Sequence, residues 1–440
     1  MNKAVLVPLY FDPGRDGEFD AQLSRLNTLL KDEAEFLPPV ALGKKLPAAD
    51  AVIFPQILGE AYRQVEKIKK IPLPILIVTS RFGTLSMWDW EIKGFLAAEG
   101  ILSFAPYDLA DTRKLCAMLA VKRELRSTRF LVFQDNPGEG FQAEIFKRFY
   151  WWEDLAVRAV RKRFGVTVRK KSFAAFGARA RAIPDEKAEA ALAALSFPRR
   201  ELPPQALRSA VKLYLALAEE AAADESIKAM GINCLNESHF SDTTPCLAWN
   251  LLFKERGLTW GCEADLLSMM TQHLIYRSLG VPLMMTNIYP FLMGETALTH
   301  EKIKSFPRVA SAPEDHILTA HCGYLGVLPE PFASDWELAP KVLAIVNDNA
   351  HAIDARLPEG DVTLVKLDPR CEKLLVIEGS LEGYAGFPGS DCRNGAVIRV
   401  PDGHALMRRA GSHHQILCRG HLARDLEYLC GIFELQVVRI

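Results

Sequence analysis

The chain has 440 residues, of which 49 % are apolar and 24 % charged, and its 53 Lys and Arg against 54 Asp and Glu leave a net charge of −1. These proportions exclude a collagen-like, coiled-coil or disordered chain as the main state, and at about 150 residues per domain they predict roughly three domains. The balanced charge gives no overall pull toward nucleic acid or an acidic membrane face.

Residues 1–165 read as alternating strands and helices. KAVLVPLY, DAVIFPQ, PILIVTS and RFLVFQD are short runs rich in Val and Ile, and AQLSRLNTLLKDEA and AYRQVEKIKK between them have helical spacing. This alternation predicts a parallel, doubly wound sheet. No GxGxxG or GxxxxGK[ST] opens a helix, so the sequence does not support a nucleotide site. The loop Arg81–Trp90 follows PILIVTS and carries Met87, Trp88 and Trp90. Loops after parallel strands are where such sheets place ligand contacts, and a Trp face can stack on a sugar. Capping the domain or filling an interface accounts for the same residues equally well.

Nine basic residues and no acids lie between Arg158 and Arg181. The segment mixes a helix, LAVRAVRKRF, with an alternating strand, VTVRKKSF. In a neutral chain this favours a solvated face or subunit contact over a polyanion site. Residues 166–354 read as a second α/β domain. Two packing helices lead into the strand KAMGINCL and the helix TPCLAWNLLFKERG, which ends at Gly257. Cys262-Glu263-Ala264-Asp265 then opens the helix LLSMMTQHLIYRSLG, and VPLMMTNIYPF and DHILTAHCGYLG read as strands. Across 355–440 the texture changes to short runs, DVTLVKL, KLLVIEGSLEG, GAVIRVP and HALMRRA, broken by Gly, Pro and Asp. These predict strands of a small β barrel or sandwich. A helix, HLARDLEYLCGIF, and a strand, LQVVRI, close the chain. The expected fold class is therefore α/β, with two doubly wound (Rossmann-like) domains followed by a small C-terminal β-barrel-like domain.

The nine cysteines are odd in number and show no CxxC spacing, which argues against a disulfide framework or a zinc ribbon. The opening MNKAVLVPLYFDPG has too short an apolar run for a secretory leader, and no apolar stretch reaches about 18 residues. The expectation is a reduced, cytoplasmic chain with no membrane and no nucleic-acid partner. All ten histidines lie between His239 and His421, so acid–base or metal chemistry is expected in the second half.

Four places there could carry chemistry. Glu263 and Asp265 sit at a helix start, where the dipole favours charged carboxylates; an N-cap pair explains them as simply. Asn287 lies in TNIYP, two residues before Tyr289. His321 lies in LTAHCGYLG, where a satisfied core histidine is the plainer reading. His413 and His414 lie in AGSHHQIL. Together they offer a carboxylate, an amide oxygen and two imidazoles. Such a set suits an octahedral or distorted site for Mn²⁺ or a similar divalent ion, with positions left for substrate oxygens.

In these segments the chain resembles the L-fucose isomerase and L-arabinose isomerase superfamily. TPCLAWNLLFKERGLTWGCEADLLSMM is similar to the run into that family's first metal-binding glutamate. The fucose-type second acid lies 24 residues further on, which falls on Asn287. AHCGYLG resembles the arabinose-type strand bearing a metal histidine, here His321. SHHQILCRGHLARDL resembles the C-terminal histidine segment, with His414 as the ligand. Met87-Trp88 resembles a loop that borders the sugar pocket across a subunit interface. The resemblance implies a Mn²⁺-dependent aldose–ketose isomerase that works through an enediolate and assembles as a trimer or hexamer. Glu263, Asn287, His321 and His414 would hold metal, and Glu263 and Asp265 would be catalytic. Met87, Trp88, Tyr289 and His413 would contact the sugar. Asn287 departs from the pattern, because an amide cannot take and return a proton near pH 7. Asp265, Asp242 or Glu237 would then supply the second carboxylate. The alternatives are a different metal-assisted reaction, or a sugar-binding or regulatory protein that has lost turnover.

Overall fold

A computed structural model of the protein describes residues 2–12, 14–135, 149–298, 303–320, 332–333, 335–341, 347–386 and 395–440. The described residues form a mixed α/β chain with two parallel sheets and a closed six-stranded antiparallel barrel. The chain divides into two compact units. One comprises Met1–Arg126, Arg277–Leu279 and Arg424–Leu435; the other comprises Ser127–Tyr276, Gly280–Ala423 and Gln436–Ile440.

In the first unit, β1 (Ala4–Tyr10), β2 (Ala34–Phe36), β3 (Val40–Ala41), β4 (Ala51–Phe54), β5 (Ile75–Ile77) and β6 (Ser103–Phe104) pair in the order β2-β1-β4-β5-β6, with β3 also on β1. Every pairing is parallel. β4 reads AVIF without alternation because all four of its residues are buried, as expected where both faces of a sheet are covered. The helices Gly17–Leu29 and Leu109–Glu124 start at Asp16 and Asp108, whose carboxylates accept the Phe19 and Asp111 amides and so satisfy donors that a helix start leaves open. The loop that carries Met87 and Trp88 is built from beneath by Asp89, which is fully buried. Its carboxylate accepts Leu58 N at 3.0 Å and Thr79 Oγ1 at 2.6 Å.

The second unit opens with β7 (Arg129–Phe133), β8 (Thr167–Lys171), β9 (Ile227–Ile232) and β10 (Thr259–Cys262), a parallel sheet in the order β10-β9-β7-β8. RFLVFQD is therefore a strand of this sheet, not of the first one. A short buried run carries no mark of which parallel sheet it will join, so the 1–165 bound falls inside the second sheet. Fully buried Phe130, Phe133, Trp249 and Trp260 belong to this unit's core. The helix Leu266–Leu279 lies close on β9 and β10. A Cβ added at Gly261 would come within 2.4 Å of Met269 Cγ, and one at Gly231 within 2.8 Å of its sulfur. Gly261→Ala is expected to destabilise the protein by about 1–3 kcal/mol, read as a lower urea midpoint.

β11 (Leu283–Pro290) and β12 (His316–Ala320) enter the barrel. β13 (Asp335–Pro340) and β14 (His351–Arg356) form a separate hairpin. β15 (Gly360–Leu367), β16 (Lys373–Tyr384), β17 (Ala396–Arg399) and β18 (His414–Arg419) complete the barrel, and β19 (Gln436–Arg439) adds in parallel to β16. The order β15-β18-β11-β12-β17-β16 closes through antiparallel pairing of β15 with β16. Closure removes unpaired sheet edges. The barrel thus starts well before residue 355. All eight residues of β11 are buried, so its sequence has the same unbroken apolar look as a central parallel strand. HALMRRA is not a strand. It lies in the helix Gly403–Arg409, which starts at Asp402, whose carboxylate accepts Ala405 N at 2.7 Å.

His351 shows how this unit depends on pH. Its ring is buried, and its Nε2 accepts the Leu247 amide at 3.1 Å, at the start of the helix Cys246–Arg256. Burial pushes its pKa down to about 3. Folding therefore excludes a proton that the unfolded chain binds below about pH 6.5. The stability that this neutral ring supplies is complete above pH 6.5 and is lost as the pH falls toward 3, at up to about 1.4 kcal/mol per pH unit. Urea titrations at pH 7.5 and 5 are expected to differ by about 2 kcal/mol from this group, and His351→Gln should remove that part of the difference.

Candidate functional site

β7, β9 and β10 lie side by side, and the chain leaving their C-terminal ends carries Gln134–Asp135, Asn233–Glu237 and Glu263–Asp265. Loops at the carboxyl ends of parallel strands are the usual ligand position in such sheets. After β10 the backbone makes an unusual turn: Glu263 and Ala264 have φ of 52° and 51°. Left-handed geometry is costly for residues with a side chain and persists where the surroundings impose it. Here Ala264 N donates to Ile232 O at 2.9 Å, Glu263 N to Cys234 Sγ at 3.4 Å, and Trp152 Nε1 to Glu263 O at 2.6 Å. The turn holds the buried Glu263 side chain in place.

Asp265 is the N-cap of the helix Leu266–Leu279. Glu263 precedes the helix, so the two are not first-turn residues together. One carboxylate oxygen of Asp265 accepts the Leu267 and Ser268 amides, each at 2.9 Å. The other accepts Ser268 Oγ at 2.8 Å, Lys366 Nζ at 2.7 Å and His414 Nδ1 at 2.9 Å. Burial would push this carboxyl up, but the Lys366 ammonium and the His414 hydrogen bond outweigh it and hold the group well below the usual carboxylate range. Burial pulls the Lys366 ammonium down, and the charges of Asp265 and Glu263 oppose that pull.

An ionised carboxylate only accepts hydrogen bonds, so His414 Nδ1 carries a proton; in the neutral ring this leaves Nε2 as the nitrogen with the lone pair. That Nε2 is buried, makes no hydrogen bond among the described residues, and lies 3.8 Å from Glu263 Oε2. A carboxylate behind an imidazole is how proteins commonly orient a metal-binding histidine. Asn287 stands opposite His414 in the β11–β18 ladder, and its Nδ2 donates to the Tyr289 hydroxyl at 3.2 Å. The His413 ring lies 4.2 Å from that of His414, and its carbonyl accepts Ile288 N at 2.9 Å.

The structure thus brings together Glu263, Asp265, Asn287, Tyr289, His413 and His414. His321 lies outside the described residues; the preceding Ala320 pairs with Asn287 in the β11–β12 ladder. Met87 and Trp88 belong to the other unit, on an exposed loop, with 58 % and 68 % of their surface accessible. Of the substitute acids, Glu237 accepts Asp135 N with both oxygens, at 3.0 and 3.1 Å, and Asp242 accepts Ser209 Oγ at 2.7 Å. Cys262 is a packed thiol, its sulfur 3.3 Å from that of Cys234.

Several polar groups here are not singled out by sequence reading. Lys366 carries a visible signal, a lysine inside the apolar strand DVTLVKL. Asn233 and Asn236 follow a buried strand directly and are themselves fully buried. Neither amide oxygen and neither amide nitrogen of the pair has a hydrogen bond among the described residues. An unmet buried polar group costs about 1–3 kcal/mol.

Among the described residues no group of three His, Cys, Asp or Glu side chains stands ready to hold a metal ion. The donors that do face each other are Glu263 and His414, with the amide of Asn287 in register beside His414. A nitrogen and a carboxylate oxygen are donors of the kind that bind a divalent ion such as Mn²⁺. No protein-family profile and no curated protein matches the chain.

Proposed function

We propose that this protein is a metal-dependent isomerase that interconverts an aldose and a ketose through an enediol of the open-chain sugar. The observation that supports this most is the pairing of Glu263 with His414 at 3.8 Å, with Asp265 fixing the histidine so that its free nitrogen faces the carboxylate. The resemblance of the segments around Glu263 and His414 to fucose and arabinose isomerases points the same way. In this reading Glu263, Asn287 and His414 hold a divalent ion, joined by His321. An ion held there would supply Lewis-acid stabilisation of the negative charge that develops on the enediolate. Glu263 takes and returns the proton that moves between the two substrate carbons. Asp265 keeps His414 in one tautomer and one orientation. Buried Trp151, 5.0 Å from the His414 ring, keeps water from the imidazole.

The parallel sheets are read as doubly wound, Rossmann-like domains. The protein is read as a cytoplasmic homo-oligomer, trimer or hexamer, in which the exposed Met87 and Trp88 border the sugar of another subunit. Mn²⁺-loaded protein incubated with aldopentoses, aldohexoses and 6-deoxyaldohexoses is expected to yield ketose. Absence of ketose from every sugar, with metal binding measured in the same sample, overturns the reading.

Asn287 favours one competing reading, a sugar-binding or regulatory protein without turnover. An amide there cannot act as the second acid–base group. Sugar-dependent thermal shifts with no ketose, and no activity gained by Asn287→Asp, would select it.

A further inference from the structure

The chain leaving β9 runs against the Glu263 turn. Ile232 O accepts Ala264 N at 2.9 Å, and Cys234 Sγ accepts Glu263 N at 3.4 Å. Asn233 and Asn236 flank these contacts on either side of Cys234. Both are fully buried, and all four of their amide oxygen and nitrogen atoms lack hydrogen-bond partners among the described residues. Packing alone gives no reason for two such groups: an alanine or leucine would fill a dry interior without leaving polar atoms unmet. Each amide donates through nitrogen and accepts through oxygen. A hydroxyl group also donates and accepts, so a run of hydroxyls on a carbon chain is the ligand that satisfies a pair of amides most fully.

We propose that Asn233 and Asn236 form a hydroxyl-reading subsite that binds an open-chain polyhydroxy compound through the hydroxyls not engaged at Glu263 and His414. The subsite rests on the isomerase reading for which end of the ligand reacts, but it makes a claim about binding that stands apart from turnover. Its selectivity follows from chemistry: a site that must pair with a hydroxyl rejects an analogue that lacks or misplaces it far more strongly than an apolar pocket does. The two asparagines would therefore discriminate among stereoisomers of one sugar class.

The test titrates Mn²⁺-loaded wild type and the variants Asn233→Ala and Asn236→Ala with ribitol, arabinitol, xylitol, mannitol and galactitol in a calorimeter. These alditols cannot isomerise. At least one is expected to bind wild type, with affinity lowered about 10- to 100-fold in each variant and the urea midpoint not lowered. Asn233→Ser and Asn236→Ser, which keep one hydroxyl, should lie between, and they replace the alanine variants if those fail to fold. No alditol binding by wild type overturns the subsite. Unchanged affinity in the folded variants also overturns it and leaves the amides to buried water. A ketose assay run alongside separates the two claims. Asparagine-dependent alditol binding without ketose keeps the subsite and removes the isomerase. Ketose formation with alditol affinity unchanged in the variants does the reverse.

Discussion

Lys366→Met is expected to lower the unfolding free energy by about 3–5 kcal/mol, the usual consequence of leaving one member of a buried ion pair without its partner. The ammonium is 4 % exposed, sits 2.7 Å from a fully buried Asp265 carboxylate and also donates to Ser268 Oγ. Removing it leaves a charge enclosed by protein, with His414 and Ser268 to share it. Asp265→Asn in the same chain removes that charge and keeps an oxygen to cap the helix Leu266–Leu279. The double variant should therefore lose less than the sum of the two single losses. Urea unfolding of the four proteins measures the coupling. Strict additivity would show that Lys366 contributes packing rather than charge.

On the proposed isomerase reading, Glu263→Gln should abolish most turnover, by about 100- to 10,000-fold, because the amide keeps the shape but cannot carry the proton. The same change should weaken Mn²⁺ binding. Asp265→Asn acts differently. The Asp265 carboxylate is already bonded to Leu267, Ser268, Lys366 and His414; the change removes the group that receives the His414 Nδ1 hydrogen, and on the metal reading Mn²⁺ affinity is expected to fall about 10- to 100-fold. Calorimetry with Mn²⁺ alone reads this without any activity assay. If Asp265→Asn binds Mn²⁺ as tightly as wild type while remaining folded, the pairing with His414 is structural and the metal reading loses its main support.

Element types were legible in the sequence where burial and periodicity agree. VPLMMTNIYPF, KAMGINCL and LLSMMTQHLIYRSLG fold as read, and Gly257 and Gly280 end their helices with φ of 60° and 65°. The grouping of strands was less legible. RFLVFQD and VPLMMTNIYPF pair with partners far along the chain, and an apolar run does not encode its neighbour. HALMRRA misleads because its short apolar run, Ala405-Leu406-Met407, has no period that separates a strand from a helical turn, and only Asp402 signals the cap. Within the site, Glu263, Asp265 and His414 could be singled out because charge and imidazole stand next to apolar runs. That Asp265 is the hub of this hydrogen-bond network depends on Lys366 and Ser268, whose approach only the folded chain reveals. The amides of Asn233 and Asn236 look like turn residues in sequence. Their burial makes them notable.

Asp265 and His414 lie 149 residues apart in sequence, and β18, which carries the histidine, is the last strand to enter the closed barrel. Closing so long a loop is slow and brings little reward until both ends are in place. During synthesis the parallel sheet and its Glu263 turn can therefore form before the imidazole of residue 414 has emerged. A growing chain that has not reached residue 414 holds the Glu263 carboxylate without its imidazole neighbour. On the metal reading, a chain truncated before residue 414 would lose the imidazole that faces Glu263 and bind Mn²⁺ no better than a Glu263→Gln variant.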